Sequence, residues 1–280
     1  MRFSQDSIFL ICGLGKMGKI HKKYLDKNGV KNYWYDPYID GGIESLKDIK
    51  NLSINHVIIA TPEVTHYDVY NSVRSVFDGK ILLEKPAVLN RDELSILSNK
   101  KLMIGMVERH NPAIDCLINN VDNQKIKNID FVRCSVSTTT NKSINIYKDV
   151  AIHDIDMLYY IRDGYDNLKS ADRSFGNIDN NYHLQLSTSK SFYRFIWSGG
   201  TFFKERKIVV RQEDCTFVVS LQEQECHKYY SFQDKSIQES LWVEKSSPVE
   251  NQLIYFESND EFDNTVCARS HQLFIGVFEL

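Results

Sequence analysis

The stretch Ser7-Ile-Phe-Leu-Ile-Cys12-Gly13-Leu-Gly15-Lys16-Met17-Gly18 decides how the first half of this chain is read. Ser7 to Cys12 form a short, nearly continuous apolar run, the pattern of a strand buried on both faces. Gly13-x-Gly15-x-x-Gly18 follows at once, and Met17, Ile20, Tyr24 and Leu25 then recur at helical spacing. A strand, three spaced glycines and a helix in this order make a dinucleotide-binding turn. Gly13 permits the tight turn, Gly15 lets a pyrophosphate approach the backbone, and Gly18 lets helix and strand pack closely. The helix start at Lys16 and Met17 offers N–H groups and a positive dipole end to the phosphates.

A second strand, Lys31-Asn-Tyr-Trp-Tyr35, ends at Asp36-Pro37. Asp36 stands where an acidic residue receives the ribose hydroxyls, and its charge repels a 2′-phosphate. The expected cofactor is therefore NAD rather than NADP. Asp36 also suits the start of an Asp-Pro turn, and the two roles are compatible. Further buried strands follow at His56 to Ala60, Lys80 to Leu83 and Leu102 to Val107. Each ends in polar punctuation: Thr61-Pro62-Glu63 with His66, Glu84-Lys85-Pro86, and Glu108-Arg109-His110-Asn111-Pro112. In an open parallel sheet those carboxyl ends line the ligand crevice. Thr61, Pro62, Glu84, Lys85 and Arg109 are thus candidates on the cofactor side. His66 is either a further cofactor-side residue or a histidine that starts a helix.

Near residue 112 the alternation of strand and helix gives way to period-two patterns. Val132-x-Cys134-x-Val136, Tyr182-x-Leu184-x-Leu186, Phe192 to Trp197, Lys207 to Arg211 and Cys215 to Leu221 read as strands of an antiparallel sheet. Asp179-Asn-Asn181 and Ser189-Lys190 read as hairpin turns. The fold class is α/β: a dinucleotide-binding domain over 1–111, then an α+β domain over 112–280 with a large, mostly antiparallel open sheet. Pro248 to Phe256 and Thr265 to Leu280 have helical apolar spacing and are expected to cap that fold.

One helix interrupts the second half: Asp149-Val-Ala-Ile-His153-Asp154-Ile-Asp156-Met-Leu-Tyr-Tyr-Ile161. Asp149 and His153 are four apart and share a helix face. A carboxylate beside an imidazole orients it and raises its basicity, as a positioned proton acceptor requires. The plain alternative is a helix with its His and Asp residues at a solvated edge. Asp154 points roughly 100° away from His153 and reads as a supporting or structural group.

Composition narrows the classes. A net charge of −3 with no basic cluster argues against nucleic-acid binding, and no apolar run is long enough for a membrane span. The N-terminal apolar stretch runs straight into the glycine turn, without the cleavage site of a signal peptide. The cysteines at 12, 116, 134, 215, 226 and 267 have no C-x-x-C spacing. They read as reduced thiols of a cytoplasmic protein, with no metal site.

Taken together, Gly13-x-Gly15-x-x-Gly18, Ala60-Thr61-Pro62 with His66, Glu84-Lys85-Pro86 and Asp149-x-x-x-His153-Asp154 resemble the glucose–fructose oxidoreductase/inositol dehydrogenase (Gfo/Idh/MocA) family. The resemblance spans nearly the whole chain in order. It implies a Rossmann domain, then a domain whose open sheet makes oligomer contacts, giving a homo-oligomer (dimer or tetramer). It also implies nicotinamide-dependent chemistry on sugars or polyols, with Lys85, Asp149 and His153 at the catalytic centre. Val107-Glu-Arg109-His-Asn111-Pro112-Ala and Ala151-Ile-His-Asp-Ile-Asp156 look most like UDP-N-acetylhexosamine 3-dehydrogenases. Those relatives tend to carry Arg-Val-Gly-Pro where this chain has Arg133-Cys-Ser-Val136, so a substrate-side loop is expected to differ. Trimmed loops in the second domain are also expected.

The chemistry anticipated is reversible hydride transfer at a secondary alcohol. His153 takes the hydroxyl proton, Lys85 steadies the developing oxygen charge, and Asp149 orients His153. Two other readings stand beside it. One is a catalytically silent NAD-binding regulator. The other is a reductase of an unsaturated or linear substrate, such as a tetrapyrrole, that needs no Asp–His pair.

Overall fold

Five strands, β1 (Ile8–Cys12), β2 (Lys31–Tyr35), β3 (His56–Ile59), β4 (Lys80–Leu83) and β5 (Leu102–Ile104), pair in parallel in the order β2-β1-β3-β4-β5. Eight more form a second sheet: β6 (Ile126–Val136), β7 (Asp172–Ile178), β8 (Asn181–Ser187), β9 (Phe192–Thr201), β10 (Glu205–Gln212), β11 (Cys215–Ser220), β12 (Glu225–Phe232) and β13 (Lys235–Leu241). The helices are α1 (Lys16–Lys27), α2 (His66–Arg74), α3 (Pro112–Asn120), α4 (Ile146–Ile161), α5 (Pro248–Ser258) and α6 (Thr265–Phe278). The structure is a computed structural model that describes residues 3–136, 146–162, 172–178 and 181–278. It divides into two units, Met1–Val107 with Ser247–Leu280, and Glu108–Ser246.

In the first unit β1, β3, β4 and β5 are buried on both faces, as their apolar runs require, while the edge strand β2 is part-exposed. Phe9, Ile11, Ile58, Leu82 and Met103 line one face and pack with Leu25 of α1 and Leu253 and Phe256 of α5. The strand order reverses between β1 and β3, because the chain passes from β1 to one neighbour and then crosses to the other. That reversal opens a crevice at the carboxyl ends of β1 and β3, next to Gly13 and Thr61. Between β4 and β5 the crossover carries a 3-10 segment, Asp92–Ser98, in place of an α-helix.

The C-terminal helices belong to this unit, whereas the sequence boundary assigned 112–280 to one domain. Phe256 stacks with Phe262 and meets Phe9 edge-on. The Lys80 ammonium donates to the carbonyls of Glu257 and Asn259 at the end of α5. Helical periodicity shows that a segment has an apolar face, but not which sheet that face will find.

The second unit has the sheet order β13-β12-β11-β10-β6-β9-β8-β7, antiparallel except for the parallel pair β6–β9. Its buried face carries Ile129 and Phe131 of β6, Tyr193, Phe195 and Trp197 of β9, and Phe217 and Val219 of β11. Phe131 stacks on Phe195 with centroids 4.9 Å apart, and Phe195 on Trp197 at 5.6 Å. Helix α4 packs on β6 and β9. On the opposite face, burial works to raise the Asp130 carboxyl, but Arg194, Arg211 and Asn128 overcome it and hold the pKa at about 2.

Three strands escaped the sequence reading: β7, β12 and β13. β12 and β13 are largely polar and part-exposed, so they lack a period-two signature. Their hairpin turns on Gln233 and Asp234, both at positive φ (50° and 59°), between the paired residues Phe232 and Lys235. That backbone fits a type I′ turn, which sequence reading looks for as Asn-Gly or Asp-Gly. Of the turn expected at Asp179-Asn-Asn181, residues 179 and 180 lie outside the described part. Residues 102–107 divide into β5 and a 3-10 turn, Val107–His110.

Candidate functional site

The glycine turn is closed from two sides. A Cβ on Gly13 would stand 2.9 Å from the Ala60 carbonyl and the Thr61 Cα, and Gly13 itself has φ +90°. A Cβ on Gly18 would lie 1.9 Å from the Gly13 oxygen. These two positions therefore demand glycine for packing. Gly15 differs, since a Cβ there would meet nothing within 4 Å. It stands at the start of α1, where no side chain caps the helix and no acidic residue occupies the first turn. Open space before an uncapped helix start is what a pyrophosphate needs. Lys16 is exposed, while Met17 packs against the apolar cluster, leaving its backbone rather than its side chain to the crevice.

Asp36 is tied to this turn. The Leu14 N–H donates to its Oδ2 at 2.8 Å, and the Tyr38 N–H donates to its Oδ1 at 3.0 Å. Each oxygen retains a lone pair for a hydroxyl donor. The Asp-Pro turn and the carboxylate's bond to the glycine turn are thus one arrangement. The residues present fit a nicotinamide dinucleotide: glycine cradle, open helix start, and carboxylate at the end of β2.

At the end of β4, Lys85 is the one residue from Leu83 to Val88 that is not buried. Its neighbours are held inside the unit. Glu84, 5% exposed, has its Oε1 2.7 Å from the His21 Nε2, so its carboxyl serves an internal pair. His66 is fully engaged, with Nδ1 2.8 Å from the Pro86 carbonyl and Nε2 2.9 Å from the Thr61 carbonyl. Thr61 also accepts from the Thr65 hydroxyl at 2.9 Å. Pro62 is exposed at the lip of the crevice.

In the second unit, α4 carries His153. The helix is buried nearly all round from Ala151 to Tyr159, so His153, Asp154 and Asp156 are not at a solvated edge. Each acid has a cation. The Arg133 Nε donates to both oxygens of Asp154 at 2.7 and 2.8 Å, and the Trp197 indole N–H donates to Oδ2 at 2.9 Å. A second carboxylate, Glu108, accepts from Arg133 at 3.1 Å and from Arg206 at 3.2 Å. Burial works against the Arg133 charge, but Asp154 and Glu108 outweigh it and hold its pKa above the usual guanidinium range. Arg109 grips Asp156 through Nε at 2.7 Å and a terminal nitrogen at 2.6 Å, and lies over the Tyr160 ring. Two ion pairs, one of them bidentate, therefore fix the helix on both sides of Ile155. Asp149 stands on the same helix, but its side chain lies outside the described residues.

Sequence reading missed Arg133, Trp197 and His271 as contributors. Arg133 was legible in principle, because period two places it on the buried face with Ile129 and Phe131, where a lone charge demands a partner acid. His271 sits in an ordinary helical stripe and sends no local signal. Its Nε2 accepts the Ala87 N–H at 3.0 Å, beside the Lys85 turn.

No family model matches the sequence, and no curated protein matches it. Solved structures do match the fold. UDP-N-acetylglucosamine 3-dehydrogenase GnnA from Acidithiobacillus ferrooxidans superposes with a TM-score of 0.78 at 14% identity, covering 98% of this chain and 96% of that one. The dehydrogenase MviM from Clostridium difficile gives 0.70 at 13% identity, over 98% and 99%. A protein from Desulfitobacterium hafniense DCB-2, proposed to be an NADPH-dependent oxidoreductase, gives 0.75 at 12% identity, over 95% and 92%. The chain has the fold of these oxidoreductases from end to end. Among the described residues no helix is long and apolar enough to cross a membrane.

Proposed function

We propose that the protein is an NAD-dependent oxidoreductase acting on a secondary alcohol of a sugar, with a nucleotide sugar such as UDP-N-acetylglucosamine as substrate. The observation that carries the reading is the Asp36 carboxylate bonded to the Leu14 N–H, which sets an acidic group against the glycine turn. An acid there accepts ribose hydroxyls and disfavours a 2′-phosphate, which supports NAD over NADP. The likeness in fold to a UDP-sugar dehydrogenase supports the substrate class.

When bound, the nicotinamide supplies the hydride acceptor. The chain's own residues supply the rest. Lys85 hydrogen-bonds the reacting oxygen and stabilises its developing negative charge, a contribution of order 10²–10³ in rate for one well-placed donor. His153 accepts the hydroxyl proton, and Asp149 orients the imidazole and stabilises its protonated form. Arg133 and Arg109, through Asp154 and Asp156, keep the helix that bears His153 in place. All six cysteines are free thiols, in keeping with a reducing, cytoplasmic setting. The large sheet of the second unit is the surface through which a homo-oligomer would form.

The test is NADH formation from NAD with UDP-N-acetylglucosamine and a panel of free sugars and polyols. Turnover of a sugar with NAD preferred over NADP is the expected result. NAD binding with no turnover across the panel would replace the enzyme by a silent dinucleotide sensor.

A further inference from the structure

The Lys85 turn is held by imidazoles. Beyond Glu84, whose N–H still donates to the Ile59 carbonyl at 2.9 Å, the chain leaves the strand ladder. Buried backbone groups that lack a ladder partner must find one elsewhere, and an unmet one costs about 1–3 kcal/mol. Here they meet histidines from two helices that flank the turn. The Pro86 carbonyl lies 2.8 Å from the Nδ1 of His66, at the start of α2. The Ala87 N–H donates to the Nε2 of His271, on α6, at 3.0 Å. His271 is anchored at its other nitrogen on the Cys267 carbonyl at 2.7 Å, and His66 lies between two carbonyls, its Nε2 2.9 Å from that of Thr61, so the one N–H of a neutral ring donates to one of them. The partners also fix the His271 tautomer. Nδ1 must carry the proton to donate to Cys267, which leaves Nε2 to accept. His66 and His271 are 2% and 0% exposed. At that burial neither ring is open to solvent.

We propose that His66 and His271 are positioning residues for Lys85. They pin the two backbone groups that follow it, one from each side, and so fix the direction in which the Lys85 side chain leaves the turn. His21, through Glu84, holds the residue before it. A flexible amide or hydroxyl could satisfy the same backbone groups. A planar ring anchored at both nitrogens, as His271 is, does so in one orientation. The catalytic consequence rests on the proposed role of Lys85 at the reacting oxygen, whereas the positioning itself does not.

The experiment uses the full chain with lysines reductively methylated with ¹³C. The Lys85 signal is assigned by its loss in Lys85→Arg. In the unsubstituted protein Lys85 is expected to give a line resolved from those of the solvated lysines. In His271→Leu and in His66→Leu that line is expected to move toward the solvated position or broaden. His271→Gln, whose Oε1 can accept the Ala87 N–H, is expected to retain it. If His271→Leu does not fold, His271→Asn takes its place, since the shorter amide keeps the Cys267 bond and loses the Ala87 bond. With UDP-N-acetylglucosamine and NAD, kcat is expected to fall by up to about 100-fold in the Leu variants, the cost of roughly 1 Å of misplacement, with the KM for NAD little changed. A Lys85 line that stays put in both folded Leu variants overturns the proposal. Absence of turnover in every variant, the unsubstituted protein included, overturns the dehydrogenase reading instead, and leaves the resonance comparison to decide the positioning claim.

Discussion

Arg133 and Asp154 form a buried ion pair in which the guanidinium Nε–H is shared between the two carboxylate oxygens at 2.7 and 2.8 Å, the residues being 3% and 1% exposed. Asp154 directly follows His153, so the pair anchors the histidine-bearing turn of α4 to β6. Its value lies in register more than in net stability, because burying two charges costs nearly what their attraction returns. Removing one partner is another matter. Arg133→Met leaves the buried Asp154 without its cation, while Glu108 keeps only Arg206. It is expected to destabilise the second unit by about 3–5 kcal/mol, read as a lower urea midpoint. Arg133→Lys should recover only part of this, since a compact ammonium cannot replace the planar guanidinium that serves both acids. A midpoint unchanged in Arg133→Met would contradict the ion-pair account.

Asp36→Ala removes the acceptor of the Leu14 N–H along with the acid proposed to receive the ribose. Affinity for NAD is expected to drop by about 10–100-fold, corresponding to the roughly 1.5–3 kcal/mol of a bond to a charged group. Affinity for NADP should fall less, so the preference narrows. Dissociation constants for both dinucleotides provide the check, and an unaltered NAD/NADP ratio would remove Asp36 from the ribose site.

His56 stacks on Phe9 with centroids 4.6 Å apart, and burial, aided by Lys80, pushes its pKa down to about 4. His110 is likewise pushed to about 4 by burial and by Arg109. Between the ordinary value of 6.5 and about 4, the unfolded chain binds protons on these rings that the folded chain does not. Stability must therefore decline as pH falls through that window and level off below it, at about 1.4 kcal/mol for each unit of displacement per ring. Thermal melts from pH 7 to 4.5 should show the decline, and His56→Phe should reduce its slope. Equal slopes in the two proteins would mean that His56 is not the group responsible.

Phe256 is fully buried among Phe9, Phe262 and the first sheet. Phe256→Ala is expected to cost about 3–5 kcal/mol. The loss should appear in the unit that holds the glycine turn, as weaker hydrogen-exchange protection of β1 and β3 while β9 keeps its own. Loss confined to the large sheet would return the C-terminal helices to the second unit.

The parts of this fold that were legible in the sequence are those set by local rules. Gly13 and Gly18 could be read because steric contact permits nothing larger, and Asp36 because its distance from the glycines follows from strand and helix lengths. The place of Lys85 just past β4 was legible from the strand end, and its role at the reacting oxygen is part of the proposal. What stayed hidden depends on distant partners. Asp156 pairs with Arg109, 47 residues earlier in the chain, and Ala87 with His271, 184 residues later. No periodicity in either segment encodes such a meeting. β12 and β13 were lost for a different reason. A part-exposed edge has no apolar alternation to detect, and its turn uses Gln233-Asp234, residues that do not advertise a left-handed backbone.

The proposed function makes Lys85 the residue that steadies the charge of the reacting oxygen and His153 its proton acceptor. The most direct measurement is the rate of NADH formation with UDP-N-acetylglucosamine for Lys85→Ala, His153→Ala and the double variant. Each single change should lower kcat by roughly 10²–10⁴, with little effect on NAD affinity. If the two act together, the double variant should be scarcely slower than the worse single one, because groups that work as a unit are strongly non-additive. Losses that multiply independently, or a His153→Ala enzyme as fast as the parent, would contradict the account.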